Sequence, residues 1–306
     1  MKNINIVSSK KRLSVIILVI LILLALSQWW SIRMVYARKL NKDTALFFAK
    51  VYFLTAGQVI TANNKLDISL SKYIADESFA FDYLDKQAKA NNEDLKMTDQ
   101  DIKSLAWDKV LRQAWVDNLA KTNKINITKQ DFNDFYTSIG GQDTLNQGLK
   151  NAGIDVGQYE NFVVKPSILE AKVYKYLLDN FNDLDGMQKA QNAYKALVDD
   201  KKKFEDVARE FSDDTNYIDD SMFATIDQLG EFGEPISKLQ VGDYTKIMVL
   251  PGNPSYYVIW LLKGTSIDEN TKVETKELRY IAVKAKSMDQ FYTDWKNNSQ
   301  INQWYK

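Results

Sequence analysis

The residues of this chain that could do chemistry lie at the end of a short amphipathic stretch, FEDVAREF, where Ser212, Asp213 and Asp214 follow in succession. The chain contains no cysteine and no histidine, which excludes thiolate nucleophiles, imidazole acid–base catalysis and metal sites built from those residues. Any catalysis must therefore rest on carboxylates, hydroxyls, lysine, arginine or binding strain. The alternative is that the three residues only form a solvated transition from helix to loop, although an acidic helix C-terminus opposes the macrodipole.

The composition predicts a folded protein that does not bind nucleic acid. The 306 residues suit two small domains plus an accessory segment, and 45% hydrophobic residues are enough for packed cores. Lysine plus arginine and aspartate plus glutamate each total 40. Because binding to phosphates demands a basic surface, zero net charge argues against a nucleic-acid partner. No cluster of residues predicts a metal ion or a cofactor.

The N-terminal region predicts a membrane anchor. Its apolar run LSVIILVILILLALSQWW, from Leu13 to Trp30, is long enough as a helix to cross about 30 Å of hydrocarbon. Trp29 and Trp30 lie where an aromatic belt would mark the far interface. A cleaved signal peptide is the alternative, since Ala25-Leu26-Ser27 is an acceptable cleavage site. We predict an uncleaved single-pass anchor over residues 13–30, with the N-terminus inside and the body on the extracytoplasmic side.

Two capping boxes mark helix starts in the middle of the chain. Thr98 with Asp101, and Thr128 with Asp131, have the spacing in which each side chain bonds the backbone N–H of the other residue. The pair Gly140-Gly141 predicts the end of the second of these helices. In the first helix we predict one buried stripe, formed by Leu105, Val110, Leu111, Ala114, Trp115 and Leu119.

Less regular segments flank these helices. The apolar run TALFFAKVYFLTAGQVI, residues 44–60, mixes helix and strand formers and leaves its type open. A helix is predicted from Ser69 onward. Asp155 should cap a long helix, which Pro166 should kink because proline removes a backbone donor from the helix interior. Asp185-Gly186 should break that long helix.

The segment from Lys96 to Leu178 resembles the N-terminal chaperone domain of SurA-type and PrsA-type foldases. The resemblance rests on NKINIT after one helix, paired aromatics in the next, a Gly-rich turn, a short helix ending in LKNAGID, and a long helix that begins QYENF. It implies an all-α domain that holds unfolded polypeptides. From the residues alone, most of these aromatics are predicted to form the core of the domain.

The last third of the chain alternates short helices with strands. KIMVL and YYVIWLL are rich in β-branched and aromatic residues and predict two strands, with Pro-Gly-Asn-Pro turning between them. ELRYIAV, residues 277–283, predicts a further strand. The segment from Ser287 to Lys306 predicts a final helix that packs on the outside or back onto the helical domain.

The order of these elements is similar to that of the parvulin-type prolyl isomerase domain. The similarity is carried by Phe204 to Ala208, Phe211 to Asp214, Phe232, Leu239 to Asp243, and Tyr256 to Leu262. Parvulins begin with a strand of the pattern RHILV ahead of these helices, whereas here the chain before Gly186 is predicted to be helical. We therefore predict a circularly permuted parvulin, in which ELRYIAV supplies the opening strand after the last one.

The parvulin resemblance also implies a site. Phe232 would form a wall of a proline-binding pocket, and Asp214 would lie beside the substrate carbonyl. Tyr280 and Tyr257 stand at the positions of the family's two histidines. Tyrosines can bond to each other and line a pocket, but they cannot reproduce a histidine network that depends on tautomers. The candidate catalytic residues are Asp214, Tyr257 and Tyr280, and the candidate substrate-binding residues are Phe232, Leu229 and Met222.

Together these features predict an α+β protein. It has an N-terminal transmembrane helix, an all-α chaperone domain and a small parvulin-like domain with an antiparallel sheet flanked by helices. The predicted boundaries are 1–38 for the cytoplasmic tail and anchor, 39–184 for the chaperone domain and 185–306 for the parvulin-like domain. The predicted function is a membrane-anchored extracytoplasmic chaperone for unfolded or newly exported polypeptides. An active prolyl isomerase without histidine, and an envelope scaffold that binds one folded partner, are the alternatives.

Overall fold

The computed structural model describes residues 6–62, 65–180, 183–216, 218–252, 254–267 and 273–305, with side chains from Ile20 onward. By its contacts the chain divides into two compact units. The first unit contains Met1–Glu170 and Trp295–Lys306, and the second contains Ala171–Asp294. This boundary differs from the predicted one at residue 184, and it assigns the C-terminal segment to the first unit. Helices and antiparallel sheets are both present.

The first helix, α1 (Ile6–Tyr36), contains the apolar run that the sequence assigns to a membrane anchor. Within that run, the side chains of Leu13 to Val19 lie outside the described residues. From Ile20 onward the helix soon reaches Ser27, Gln28 and Arg33, which interrupt the apolar stretch. Among the residues that the structure describes, no helix is both long and apolar enough to cross a membrane. The predicted transmembrane helix over residues 13–30 is therefore wrong, as is the single-pass localisation derived from it.

The first unit continues with one helix, two strands and a series of helices, the last of which crosses the unit boundary after Glu170. In chain order these are α2 (Lys42–Val51), β1 (Thr55–Ile60), β2 (Lys65–Ser69), α3 (Leu70–Ala90), α4 (Asp99–Thr122), α5 (Lys129–Ser138), α6 (Gln142–Asn151), α7 (Val156–Tyr159) and, after a π-helical turn at Glu160–Val164, α8 (Lys165–Asp179). The ambiguous run at residues 44–60 is thus divided between a helix, α2, and a strand, β1.

The second unit contains shorter elements, and the chain then returns to the first. The elements are α9 (Leu184–Val198), α10 (Phe204–Phe211), β3 (Met222–Ala224), a 3₁₀ turn at Asp227–Phe232, α11 (Gly233–Ser237), β4 (Met248–Leu250), β5 (Tyr256–Ile267), β6 (Glu274–Lys284), α12 (Met288–Asn297) and β7 (Gln300–Gln303). The predicted final helix therefore stops at Asn297, and the residues after it form a strand.

A three-stranded antiparallel sheet in the first unit joins distant parts of the chain in the order β2-β1-β7. Gly57 of β1 lies directly opposite Gln303 of β7. A Cβ atom on Gly57 would lie 2.4 Å from the carbonyl oxygen of Asn302 and 2.7 Å from the ring of Trp107. No side chain fits that gap, so glycine at this position permits β7 to pair with β1.

Several helices of the first unit end at a residue in the left-handed region. The residues after α2, α4 and α6 that adopt it are Phe53 (φ 48°), Lys124 (φ 56°) and Gly153 (φ 68°). In each case the following residue donates its N–H to the carbonyl five residues earlier, as in a Schellman motif. Glycine is the usual residue at this position because it has no Cβ atom. Phe53 and Lys124 adopt the conformation at a cost in strain.

Both predicted capping boxes are present. The hydroxyl of Thr98 accepts the N–H of Asp101 at 3.2 Å, and the Asp101 carboxylate accepts the N–H of Thr98 at 3.0 Å. The predicted buried stripe of α4 is partly wrong, since Leu105 is 52% exposed. The helix contacts both α3 and β2, and this packing buries a face shifted by one position. That face is formed by Ile102, Ala106, Val110, Leu111, Trp115, Val116 and Ala120.

Pro166 and the Asp185-Gly186 pair act differently from each other. Pro166 has no N–H, and the helix widens into the π-helical turn at Glu160–Val164 just before it. Asp185-Gly186 does not break a helix, because α8 already ends at Asp179. Instead Asp183 caps α9, and its Oδ1 accepts the N–H of Gly186 at 3.1 Å.

The second sheet is four-stranded and antiparallel, in the order β3-β6-β5-β4. The three predicted strands, KIMVL, YYVIWLL and ELRYIAV, lie within or overlap β4, β5 and β6. In the long β5–β6 ladder, Trp260 lies opposite Tyr280 and Tyr257 lies opposite Val283. This register decides which side chains share a face of the sheet.

Candidate functional site

The loop after α10 is attached to β6 by hydrogen bonds. Ser212 is extended (φ −74°, ψ 133°), which ends the helix. Its hydroxyl accepts the N–H of Ala282 at 3.1 Å, and the N–H of Asp213 donates to the carbonyl of Ala282 at 2.7 Å. The Asp213 carboxylate accepts the N–H of Lys284 at 2.8 Å and a 2.5 Å bond from Lys189. Ser212 and Asp213 therefore fasten the loop to the sheet.

This attachment brings Asp214 to Tyr280. The hydroxyl of Tyr280 donates to Oδ2 of Asp214 at 2.7 Å, and the backbone N–H of Asn216 donates to Oδ1 at 3.0 Å. Both oxygens of the carboxylate are thus engaged, and both side chains are half-buried. The structure brings together two of the three candidate catalytic residues, and the polar end of α10 is more than a solvated loop.

An apolar cluster lies on the same face of the sheet as Tyr280. The rings of Phe232 and Trp260 have centroids 6.0 Å apart, and those of Trp260 and Tyr280 are 5.0 Å apart and nearly edge-to-face. All three candidate substrate-binding residues belong to this cluster: Phe232 and Leu229 are buried in it, and Met222 packs against it. We call Met222, Leu229, Phe232, Trp260 and Tyr280 the aromatic cluster.

Tyr257 lies elsewhere, which corrects its assignment to the site. Side chains alternate along a strand, so Tyr257 and Trp260 of β5 face opposite sides of the sheet. Tyr257 is completely buried there, and its hydroxyl has no hydrogen-bond partner among the described residues. Burial raises the pKa of Tyr257 well above its ordinary value of 10, and the Asp183 carboxylate adds to the shift. Tyr257 therefore cannot bond to Tyr280.

Trp260 is the residue of the cluster that the sequence analysis missed. It lies opposite Tyr280 in the ladder, and it is only 5% exposed. The strand sequence YYVIWLL offers three aromatic residues. The pairing register of β5 with β6 distinguishes them, and this apolar run has no alternation of apolar and polar residues that would fix the register from sequence.

The first unit exposes apolar side chains at α2. Phe47 and Val51, one helical turn apart, are 60% and 48% exposed, and Phe53 just after the helix is 89% exposed. Large exposed apolar groups of this kind are typical of sites that contact other chains. We refer to Phe47, Val51 and Phe53 as the α2 surface.

Among the described residues, no group of three or more acidic, histidine or cysteine side chains could hold a metal ion. Comparisons with protein-family models, with curated proteins and with solved structures each gave no match. The protein is therefore described by its fold and its site alone. It is an α+β chain of two units, in which the second unit places a bonded tyrosine–aspartate pair beside an aromatic cluster.

Proposed function

We propose that the protein binds unfolded polypeptides and that its second unit is a permuted parvulin-like domain whose aromatic cluster receives proline. The observation that carries the proposal is the 2.7 Å hydrogen bond from Tyr280 to Asp214 beside Phe232 and Trp260. Apolar side chains beside a few convergent polar groups are typical of sites that bind small groups. The pyrrolidine ring of proline suits the apolar part, and the polar pair can contact the peptide backbone.

The position of β6 supports the permutation. A permuted parvulin requires ELRYIAV to be a strand of the sheet, although it follows the other strands in the chain. β6 contains this segment and lies between β3 and β5. Had ELRYIAV lain outside the sheet, the circular permutation would have had no structural basis.

The α2 surface supports binding of unfolded chains by the first unit. Unfolded polypeptides expose apolar side chains, and Phe47, Val51 and Phe53 expose apolar area of their own. Contacts between apolar surfaces are non-directional, so such a surface accepts segments of many sequences.

The test uses the full chain in two assays. The first measures suppression of aggregation of two unrelated unfolded proteins, and the second measures binding of a short Xaa-Pro peptide. We expect wild type to be active in both. Tyr280→Phe should weaken peptide binding about fivefold, the effect of losing one hydrogen-bonding hydroxyl. Tyr257→Phe is the matched control, because it makes the same change on the opposite face of the sheet, and it should bind as wild type does.

Four results would contradict the proposal. A wild-type protein that leaves the aggregation of unrelated proteins unchanged is not a chaperone, and one that captures a single folded partner is a scaffold. A protein that binds no Xaa-Pro peptide has no proline site. Equal weakening by Tyr280→Phe and Tyr257→Phe would show that the aromatic cluster is not the place of binding.

The bond between Tyr280 and Asp214 also favours prolyl isomerase activity as a second candidate. Rotation about a peptide bond has a barrier of about 18–20 kcal/mol, and polar groups that favour the twisted amide lower it without covalent chemistry. We expect acceleration of cis/trans exchange in an Xaa-Pro peptide, lost in both Asp214→Ala and Tyr280→Phe. A wild-type rate equal to the uncatalysed rate, with peptide binding intact, would leave a binding domain without catalysis.

A further inference from the structure

A buried hydrogen-bond donor in the aromatic cluster has no acceptor among the described residues. The side chain of Trp260 is 5% exposed, and its Nε1 has no hydrogen-bond partner in the part of the chain that the structure describes. A donor buried in this way loses its hydration without compensation. Such groups are rare in native proteins, and each calls for a physical explanation.

The neighbours of Trp260 do not supply the missing acceptor. Leu229 and Phe232 are apolar, and Tyr280 presents its ring at a centroid distance of 5.0 Å while its hydroxyl donates to Asp214. The backbone of Trp260 is also fixed, because its N–H donates to Oγ1 of Thr245 at 2.9 Å and its carbonyl accepts the N–H of Thr245 at 2.9 Å. Among the described residues the indole N–H is therefore left without an acceptor.

We infer that the indole N–H of Trp260 donates to a backbone carbonyl of the bound polypeptide, the carbonyl of the residue that precedes proline. This inference rests on the proposed function and adds the group that orients the peptide. Every peptide bond carries a strong carbonyl acceptor. A single N–H in apolar surroundings therefore recognises the backbone whatever the neighbouring side chains are, which suits a protein that binds many chains.

Access to the indole N–H involves the partly exposed members of the cluster. Met222 and Tyr280 are half-buried, whereas Trp260, Phe232 and Leu229 are buried. Because Nε1 of Trp260 is itself buried, a peptide reaches it only when side chains of the cluster move. Rotamer changes of this size are common when peptides bind.

A double-mutant cycle on the full chain tests the contact. Its protein arms are wild type and Trp260→Phe, and its ligand arms are an Xaa-Pro peptide and the same peptide with the prolyl amide replaced by the trans alkene, which has no carbonyl. We expect the alkene to bind wild type about tenfold more weakly than the amide. Trp260→Phe should bind the amide more weakly than wild type does and should discriminate between the two peptides less than about twofold.

The cycle separates the hydrogen bond from packing. Loss of volume in Trp260→Phe affects both peptides equally and cancels in the comparison. If that variant does not fold, as judged by its thermal transition, the isosteric residue β-(3-benzothienyl)alanine at position 260 replaces it, since that residue keeps the indole shape and lacks the N–H. The same replacement at the exposed Trp304 is the control and should leave both affinities unchanged.

Two outcomes overturn the inference while the proposed function stands. One is equal binding of the amide and the alkene by wild type. The other is tenfold discrimination that persists after the N–H is removed. If wild type binds neither peptide, the proposed function itself fails, and the inference fails with it.

Discussion

The hydroxyl of Tyr280 and the carboxylate of Asp214 form a 2.7 Å hydrogen bond, although 66 residues separate them in the chain. Both ends of this bond depend on one strand. Tyr280 is part of β6, and Asp214 follows Ser212 and Asp213, which bond to the backbone of Ala282 and Lys284 in the same strand. The geometry of the pair is therefore set by β6, and within the loop the N–H of Asn216 also holds the Asp214 carboxylate.

The stability of the second unit should report this bond directly. We expect Tyr280→Phe to lower the free energy of unfolding by about 1 kcal/mol, the usual net value of a hydrogen bond. Asp214→Ala should lower it further, because it also removes the acceptor of the Asn216 N–H. The double variant should lose clearly less than the sum, because both changes remove the same bond. Urea denaturation measures all three.

The control for the double-mutant cycle of Tyr280 and Asp214 is again Tyr257→Phe. The Tyr257 hydroxyl is buried without a partner among the described residues, so its removal should leave the free energy of unfolding unchanged or raise it. Additive losses in the Tyr280 and Asp214 double variant would mean that the bond is absent in solution.

A buried charge in the first unit depends on one lysine. Nζ of Lys109 lies 2.5 Å from Oδ1 of Asp76 and 5.5 Å from the ring centroids of Phe79 and Phe162. The Asp76 side chain is 5% exposed, and that of Lys109 is 37% exposed. We expect Lys109→Met to lower the free energy of unfolding by about 3 kcal/mol, because it leaves Asp76 as an uncompensated buried charge.

The reverse change should be milder. Asp76→Asn leaves Lys109 within reach of water, so we expect a loss of about 1 kcal/mol. The double variant should be more stable than Lys109→Met alone, because no buried carboxylate remains. Urea denaturation of the full chain distinguishes these values. Equal losses from the two single variants would contradict the assignment of the buried charge to Asp76.

The end of α4 offers a stabilising substitution. Lys124 is exposed and has φ 56°, a conformation that strains any residue with a Cβ atom. We expect Lys124→Gly to raise the free energy of unfolding by about 1 kcal/mol. Lys124→Ala keeps the Cβ atom and should change stability little. If both variants behave alike in denaturation, the lysine side chain and not the backbone strain decides the effect.

The capping box of α4 should make stability depend on pH in acid. Hydrogen bonds from Thr98 hold the pKa of Asp101 below its ordinary value of 3.8. A lowered folded-state pKa means that the contribution of the capping box is fully present above the unfolded-state pKa and is lost as the pH falls through the folded-state value. Asp101→Asn should therefore lower the melting temperature near neutral pH, and this difference should shrink as the pH falls below the ordinary value of 3.8.

Asp99→Asn is the control for the pH experiment. This substitution removes a negative charge from the same helical turn, but Asp99 is not part of the capping box. We expect a smaller difference near neutral pH than for Asp101→Asn. A difference between wild type and Asp101→Asn that stays constant from neutral pH into acid would contradict the role of the ionised carboxylate.

The sequence predicted those features of the fold that depend on residues close together in the chain. The capping boxes at Thr98 and Thr128 span four consecutive residues each and are both present. The strand β7 was missed because QINQ has no strand-like pattern, and its partner β1 is far away in the chain. The shift from Leu105 to Ala106 on α4 arose because the helix contacts both α3 and β2, which a single amphipathic stripe does not describe.

The candidate site divides in the same way. Asp214, Tyr280, Phe232, Leu229 and Met222 were predicted by resemblance, and the structure brings them near one another on one face of the sheet. Tyr257 was chosen and Trp260 was missed because the choice depends on the register of two strands. That register is a property of the paired strands together. It cannot be read from the sequence of either strand alone.

The pairing of β7 with β1 has a consequence for synthesis. A ribosome makes the whole second unit after β1 has emerged and before β7 exists. At about 5–20 residues per second, the nascent chain spends on the order of ten seconds with one edge of β1 unpaired. An unpaired strand edge is a template for aggregation. Gly57 has no side chain, so it does not shield the backbone N–H and C=O groups of β1 from other chains. The second unit, which is continuous in sequence, can fold during this interval, whereas the first unit stays vulnerable until residues 300–303 are released.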